Sequence, residues 1–102
     1  MTADRTARDR RRSERFEVNL PSHVTWQDSR VPCRMVDVSA SGALLETKLK
    51  AALGEKVAVD LPSGESVLGR IVRITGSHIA LSFPGMLLVA PLLAEAARAV
   101  PN

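Results

Sequence analysis

From Phe16 the chain alternates. Phe16, Val18 and Leu20 fall on one side of an extended backbone, with Glu17 and Asn19 on the other. That period of two marks a half-buried strand. Pro21 interrupts the pattern and Val24 and Trp26 resume it, which predicts a first strand with a break or bulge at the proline. Gln27, Asp28 and Ser29 make a turn. A second strand is predicted from about Val31 to Val38, opening with the alternation of Val31, Cys33 and Met35. Ser39-Ala40-Ser41-Gly42 is a tight connection into a short third strand, Ala43 to Thr47. Lys48 to Leu53 is a connection with some helical tendency, closed by Gly54. Lys56 to Leu61 alternates through Val57, Val59 and Leu61, and Pro62-Ser63-Gly64-Glu65 is a turn. Ser66 to Ile74 reads as a long strand, and Ile79, Leu81 and Phe83 alternate once more. Short strands with turns at regular spacing predict an antiparallel barrel or sandwich. The tail from Met86 to Val100 is rich in alanine and leucine and predicts a helix interrupted near Pro91. Residues 1–9 have no apolar period and read as a disordered tail. Residues 10–102 then form one domain, with the β body at about 16–83 and the helix at about 86–100.

Composition narrows the function classes. The chain has 102 residues, 45% of them hydrophobic and 25% charged, which suits one globular domain. Its one cysteine excludes an internal disulfide framework and a cysteine zinc cluster. Cys33 alternates with Val31 and Met35, so it reads as a buried thiol. Two histidines, His23 and His78, lie far apart and have no matched carboxylate spacing. No metal site, cofactor or catalytic residue is expected, and the chain does not read as an enzyme. Its first residues are charged and its longest apolar stretch is far shorter than the roughly 20 residues that span a bilayer, so a cytoplasmic protein is expected. Trp26, one of three aromatic residues, is expected in the core.

The charge is unevenly placed. Arg5, Arg8, Arg10, Arg11, Arg12 and Arg15 outnumber Asp4, Asp9 and Glu14, whereas the basic and acidic residues from 16 onward cancel, so the whole net charge of +3 sits in the N-terminal arm. Such an arm expects an anion.

Two constellations could carry chemistry. The first is Arg11-Arg12-Ser13-Glu14-Arg15, an Arg-x-x-x-Arg just before the first strand. The second is Asp37-Val38-Ser39-Ala40-Ser41-Gly42, an Asp-x-Ser-x-x-Gly between strands two and three. Each has a plain reading alone: arginine runs are ordinarily solvated, and Asp, Ser and Gly gather in turns. In this order, the pair resembles the PilZ domain, a bacterial family of cyclic di-GMP receptors. The fixed positions Arg11, Arg15, Asp37, Ser39 and Gly42 all match, and the resemblance runs over about residues 10–83. It implies a six-stranded antiparallel β-barrel with a C-terminal helix and a flexible basic N-terminal arm.

The resemblance also implies a ligand, and the residue chemistry suits it. An arginine fork can donate to guanine O6 and N7 or to a phosphate, and can stack on a purine. A carboxylate at Asp37 can accept from the guanine N1–H and N2–H donors. Ser39 can serve the same edge or a phosphate. Gly42 is expected to permit the turn or to let a base approach the main chain. Arg10, Arg12 and Ser41 are secondary candidates. Arg10 precedes the Arg-x-x-x-Arg, where a long basic residue in this family goes with an intercalated pair of ligands. Two cyclic di-GMP molecules per chain are therefore expected. Arg70 and Arg73, three apart in a strand, are expected on opposite faces, so that at most one faces the ligand.

Without an output module in the domain, the receptor reading calls for a downstream protein that detects ligand-induced ordering of the arm against the barrel. Met86, Leu87, Leu88, Val89, Leu92 and Leu93 are read as a barrel plug in preference to a partner contact. Two other classes remain: a nucleic-acid-binding β-barrel with a basic arm, and a ligand-independent adaptor on the same fold. The first is disfavoured because the barrel segment is neutral and short of stacking aromatics. The second is disfavoured because both motifs are intact.

Overall fold

The structure, a computed structural model, describes residues 15–85, 87 and 90–99, with 95–99 described as backbone alone. The expected disordered tail 1–9 lies outside these residues.

Six strands form: β1 (Phe16–Trp26), β2 (Ser29–Ser39), β3 (Gly42–Thr47), β4 (Lys56–Asp60), β5 (Ser66–Thr75) and β6 (His78–Ser82), followed by helix α1 (Ala90–Ala99). They close into a barrel in the order β1-β2-β3-β6-β5-β4, antiparallel at every pairing. The ring is completed by Val24 opposite Val59 and Thr25 opposite Ala58. Closure satisfies the sheet edges that a sandwich would leave open.

The alternation read from the sequence becomes the core. Leu20, Val24, Cys33, Met35, Val38, Ala43, Leu45, Val57, Val59, Ile71, Ile79 and Leu81 are buried together inside the barrel. Burying them supplies the main stabilising term, since each large aliphatic side chain contributes about 1.5–3 kcal/mol. Leu49 and Ala51, from the connection after β3, pack against this cluster, as does Leu87. Leu92 of α1 is itself buried in it. The apolar tail therefore covers the core through Leu87 and Leu92, in line with the plug reading. Met86, Leu88 and Val89 lie outside the described residues.

Several boundaries differ from expectation. β1 is not broken at Pro21, which pairs with Arg34; the register shift lies between Glu17 and Leu20. The β1–β4 ladder reaches only Val24 and Thr25. At Pro21 the strand is thus paired on one side, where a missing N–H is tolerated. β2 begins at Ser29, because pairing continues to the Trp26–Ser29 rung beside the turn. The connection 48–53 holds no helix. Helix α1 begins at Ala90, with Leu87 outside it, so the helix expected from Met86 is shorter. Pro91 does not interrupt it. Proline there sits in the first turn, where its N–H would have no helical acceptor. Trp26 is a rim residue: it is half-buried against the core and its Nε1–H donates to Glu55 Oε1 at 3.0 Å.

Two further register shifts matter for the site. One lies in β2 between Met35 and Asp37, the other in β5 between Ile71 and Arg73. In each case the strand gains a residue and its side chains change phase.

Candidate ligand-binding site

The β2 bulge decides where Asp37 points. Cys33 and Met35 face inward, and unbroken alternation would carry Asp37 inward after them. The extra residue at Val36 turns Asp37 out, opposite Leu44, and returns Val38 to the core. The β5 bulge acts in the same way. Gly69 and Ile71 are buried, and the extra residue at Val72 sets Arg73 opposite Ala80 on the outer face. Bulges commonly re-aim side chains beside functional sites.

Between these two bulges lies a cleft of about 340 Å³ on the outside of the barrel. Its floor and walls come from β2, the β2–β3 turn, β3, β6 and β5. Arg15, Asp37, Ser39, Ser41 and Gly42 line it, together with Leu44, Val72, Arg73 and Ala80. Five residues of the two motifs are thus brought to one place. Arg10, Arg11 and Arg12 lie outside the described residues.

Asp37 is the polar centre. Its Oδ2 stands 3.7 Å from the Arg15 guanidinium, whose side chain is 63% exposed. Its Oδ1 is buried and has no hydrogen-bond partner among the described residues. A buried carboxylate oxygen without a donor is costly, and most such atoms in folded proteins are paired. Asp37 thus brings a carboxylate to the cleft with Oδ2 beside a cation, a combination suited to a ligand that carries both N–H donors and negative charge.

Ser39 is placed differently. It is buried, and its Oγ accepts from the Ser41 backbone N–H at 3.3 Å while also lying 3.3 Å from Ser41 Oγ and 3.4 Å from the Gly42 carbonyl oxygen. It holds the turn that presents Ser41 and Gly42. Ser41 is exposed at the cleft mouth.

Gly42 corrects one of the two expectations placed on it, that it permits the turn. The described glycines with positive φ are Gly54, Gly64 and Gly76, so Gly42 is not needed for a left-handed turn. It pairs with Ser82, and a Cβ on it would overlap the Leu81 backbone carbonyl oxygen. The glycine is required by the close approach of β6.

Arg70 and Arg73 do not point to opposite faces. Arg70 pairs with Ser82 and Arg73 with Ala80, and both lie on the outer face because the bulge between them shifts the phase. Only Arg73 lines the cleft. Leu44, Val72 and Ala80 carried no motif signal; their place in the cleft follows from register alone.

Away from the cleft, burial pushes the Cys33 thiol up to about 11, against a smaller opposing effect of its hydrogen bond with Ser22. Cys33 is a core residue, as expected. Among the described residues, no helix is long and apolar enough to cross a membrane.

The model of the PilZ domain family matches residues 9–91. No curated protein matches the chain.

Proposed function

The chain belongs to the PilZ domain family, and from that premise we propose that it is a receptor for cyclic di-GMP that performs no catalysis. The observation that carries this reading is Asp37 itself: one carboxylate oxygen beside Arg15, the other buried and unpaired among the described residues, at an open cleft. Guanine brings N1–H and N2–H donors that a carboxylate at Asp37 can accept once its side chain turns to the ligand. Arg15 and Arg11 serve phosphate or the O6/N7 edge. Adenine presents a donor at position 6 where guanine presents an acceptor, which selects against cyclic di-AMP.

The signal in this reading is ligand-induced ordering of the arginine arm against the barrel, with Arg10, Arg11 and Arg12 joining Arg15 around the bound nucleotide. A downstream protein then recognises the new surface. The basic residue at Arg10 favours two ligands per chain.

Calorimetric titration with cyclic di-GMP, with GTP and cyclic di-AMP as controls, tests the reading. The expected result is saturable, guanine-specific binding at micromolar or tighter dissociation constants, about −8 kcal/mol or better. The titration also counts ligands per chain. Absence of heat at high ligand overturns the receptor reading. Salt-sensitive binding to generic oligonucleotides would favour a nucleic-acid tail instead.

A further inference from the structure

We infer that Arg73 is a second anchor of the cleft, a guanidinium that binds a phosphate of the ligand across an apolar floor from Asp37. The inference rests on the receptor reading and adds to it a residue that neither motif contains.

Register is the first ground. Asp37 pairs with Leu44, Leu44 with Ala80, and Ala80 with Arg73, so the four stand in one row across β2, β3, β6 and β5. The row has a carboxylate at one end, a guanidinium at the other and two apolar residues between. Its ends are three strand spacings apart, about 14 Å. A short carboxylate at one end and a long guanidinium side chain at the other leave room for a purine and its sugar-phosphate between them.

The second ground is that the end residues owe their outward direction to separate bulges, at Val36 and at Val72. Without the β5 bulge, Arg73 would follow Gly69 and Ile71 toward the interior. The third ground is that Arg73 is exposed, lines the cleft and forms no ion pair among the described residues. Its charge is not committed to holding the barrel together, whereas Arg30 and Arg34 are tied to Asp60 and Glu46.

A guanine that sets its donor edge on Asp37 and its face over Leu44 and Ala80 directs its ribose and phosphate toward β5. A guanidinium there can take two phosphate oxygens at once. Arg70 provides the contrast. It is exposed on the same strand and carries the same charge, but it is not part of the cleft wall.

The test is titration of the full chain with cyclic di-GMP, comparing Arg73→Ala, Arg73→Lys and Arg70→Ala with the unsubstituted protein. Arg73→Ala is expected to weaken binding at least tenfold, and Arg73→Lys to recover part of the loss by restoring the charge without the fork. Arg70→Ala is expected to stay within twofold. Both sites are exposed, and thermal melting confirms that each of the three variants is folded. Unchanged affinity in Arg73→Ala overturns the inference, as does an equal loss in Arg70→Ala, which would reduce the effect to general charge. If the unsubstituted protein does not bind, the receptor reading itself fails, an outcome separate from the failure of Arg73.

Discussion

The Gly42 Cα lies so near the Leu81 backbone carbonyl that a β-carbon cannot stand between them. This contact joins the β2–β3 turn to β6, at one wall of the cleft. The obstructing atom is backbone, which cannot swing aside as a side chain would. Gly42→Ala is therefore expected to push β3 from β6 and to cost about 1–3 kcal/mol, the range for overpacking a tight site. For a domain of this size each kcal/mol lowers the melting temperature by roughly 4–8 °C. Urea denaturation measures the loss, and an unchanged midpoint would show that the strands absorb the methyl group.

Asp37 should behave in the opposite way, mattering little to folding and much to binding. Its ion pair with Arg15 is long, at 3.7 Å, and the Arg15 end is exposed, and such pairs contribute about 0–1 kcal/mol. Its other oxygen gains nothing from the folded protein. Because the fold bears the cost of that buried oxygen, Asp37→Ala and Asp37→Asn are expected to leave the urea midpoint unchanged or to raise it, and to weaken cyclic di-GMP binding at least tenfold, about 1.4 kcal/mol or more. Calorimetry and denaturation on the same samples separate the two effects. Native affinity in both variants would remove Asp37 from the site.

The barrel was legible because its inward positions are spelled out by alternation. Leu20 and Val24, Cys33 and Met35, Val57 and Val59, and Ile79 and Leu81 are all buried where a period of two puts them. The site was legible as a list, through Arg15, Asp37, Ser39 and Gly42, but not as a surface. Val36 and Val72 are β-branched residues that suit a regular strand, and neither Gly nor Pro marks the bulges at these positions. The same alternation that revealed the core therefore misdirects Asp37 and Arg73 by one residue each. Gly42 hides its reason for a related cause: the atom it avoids belongs to Leu81, distant in sequence and adjacent only after the barrel closes. Pro91 suggests a break only to a helix that starts at Met86; with the helix starting four residues later, at Ala90, it sits in the first turn.

Helix α1 contributes to stability through Leu92, which is almost fully buried against the barrel core. Leu93, its neighbour, is only half-buried. Leu92→Ala is expected to cost about 2–5 kcal/mol, the usual penalty for emptying a buried leucine site. Leu93→Ala should cost markedly less. The difference between the two midpoints tests whether the tail is a plug, and equal small losses would make it an appendage free to meet a partner.

Cys33 gives the fold a defined response to alkali. Its side chain is buried beside Ser22, and burial raises the thiol to about 11 from an ordinary value of 9.0. The folded protein thus keeps the proton over a range in which the unfolded chain has lost it. The thiol's contribution to stability is whole below the unfolded value and falls as the pH rises from about 9 toward about 11. The comparison is with Cys33→Ala, which lacks the thiol and keeps every charged residue. Between pH 8 and 11 the unsubstituted protein is expected to lose more stability than the variant. In parallel, a thiol reagent at pH 8 should modify Cys33 only as fast as the barrel opens, and denaturant should accelerate it. Identical pH slopes for the two proteins, or immediate labelling of the native state, would place the thiol outside the core.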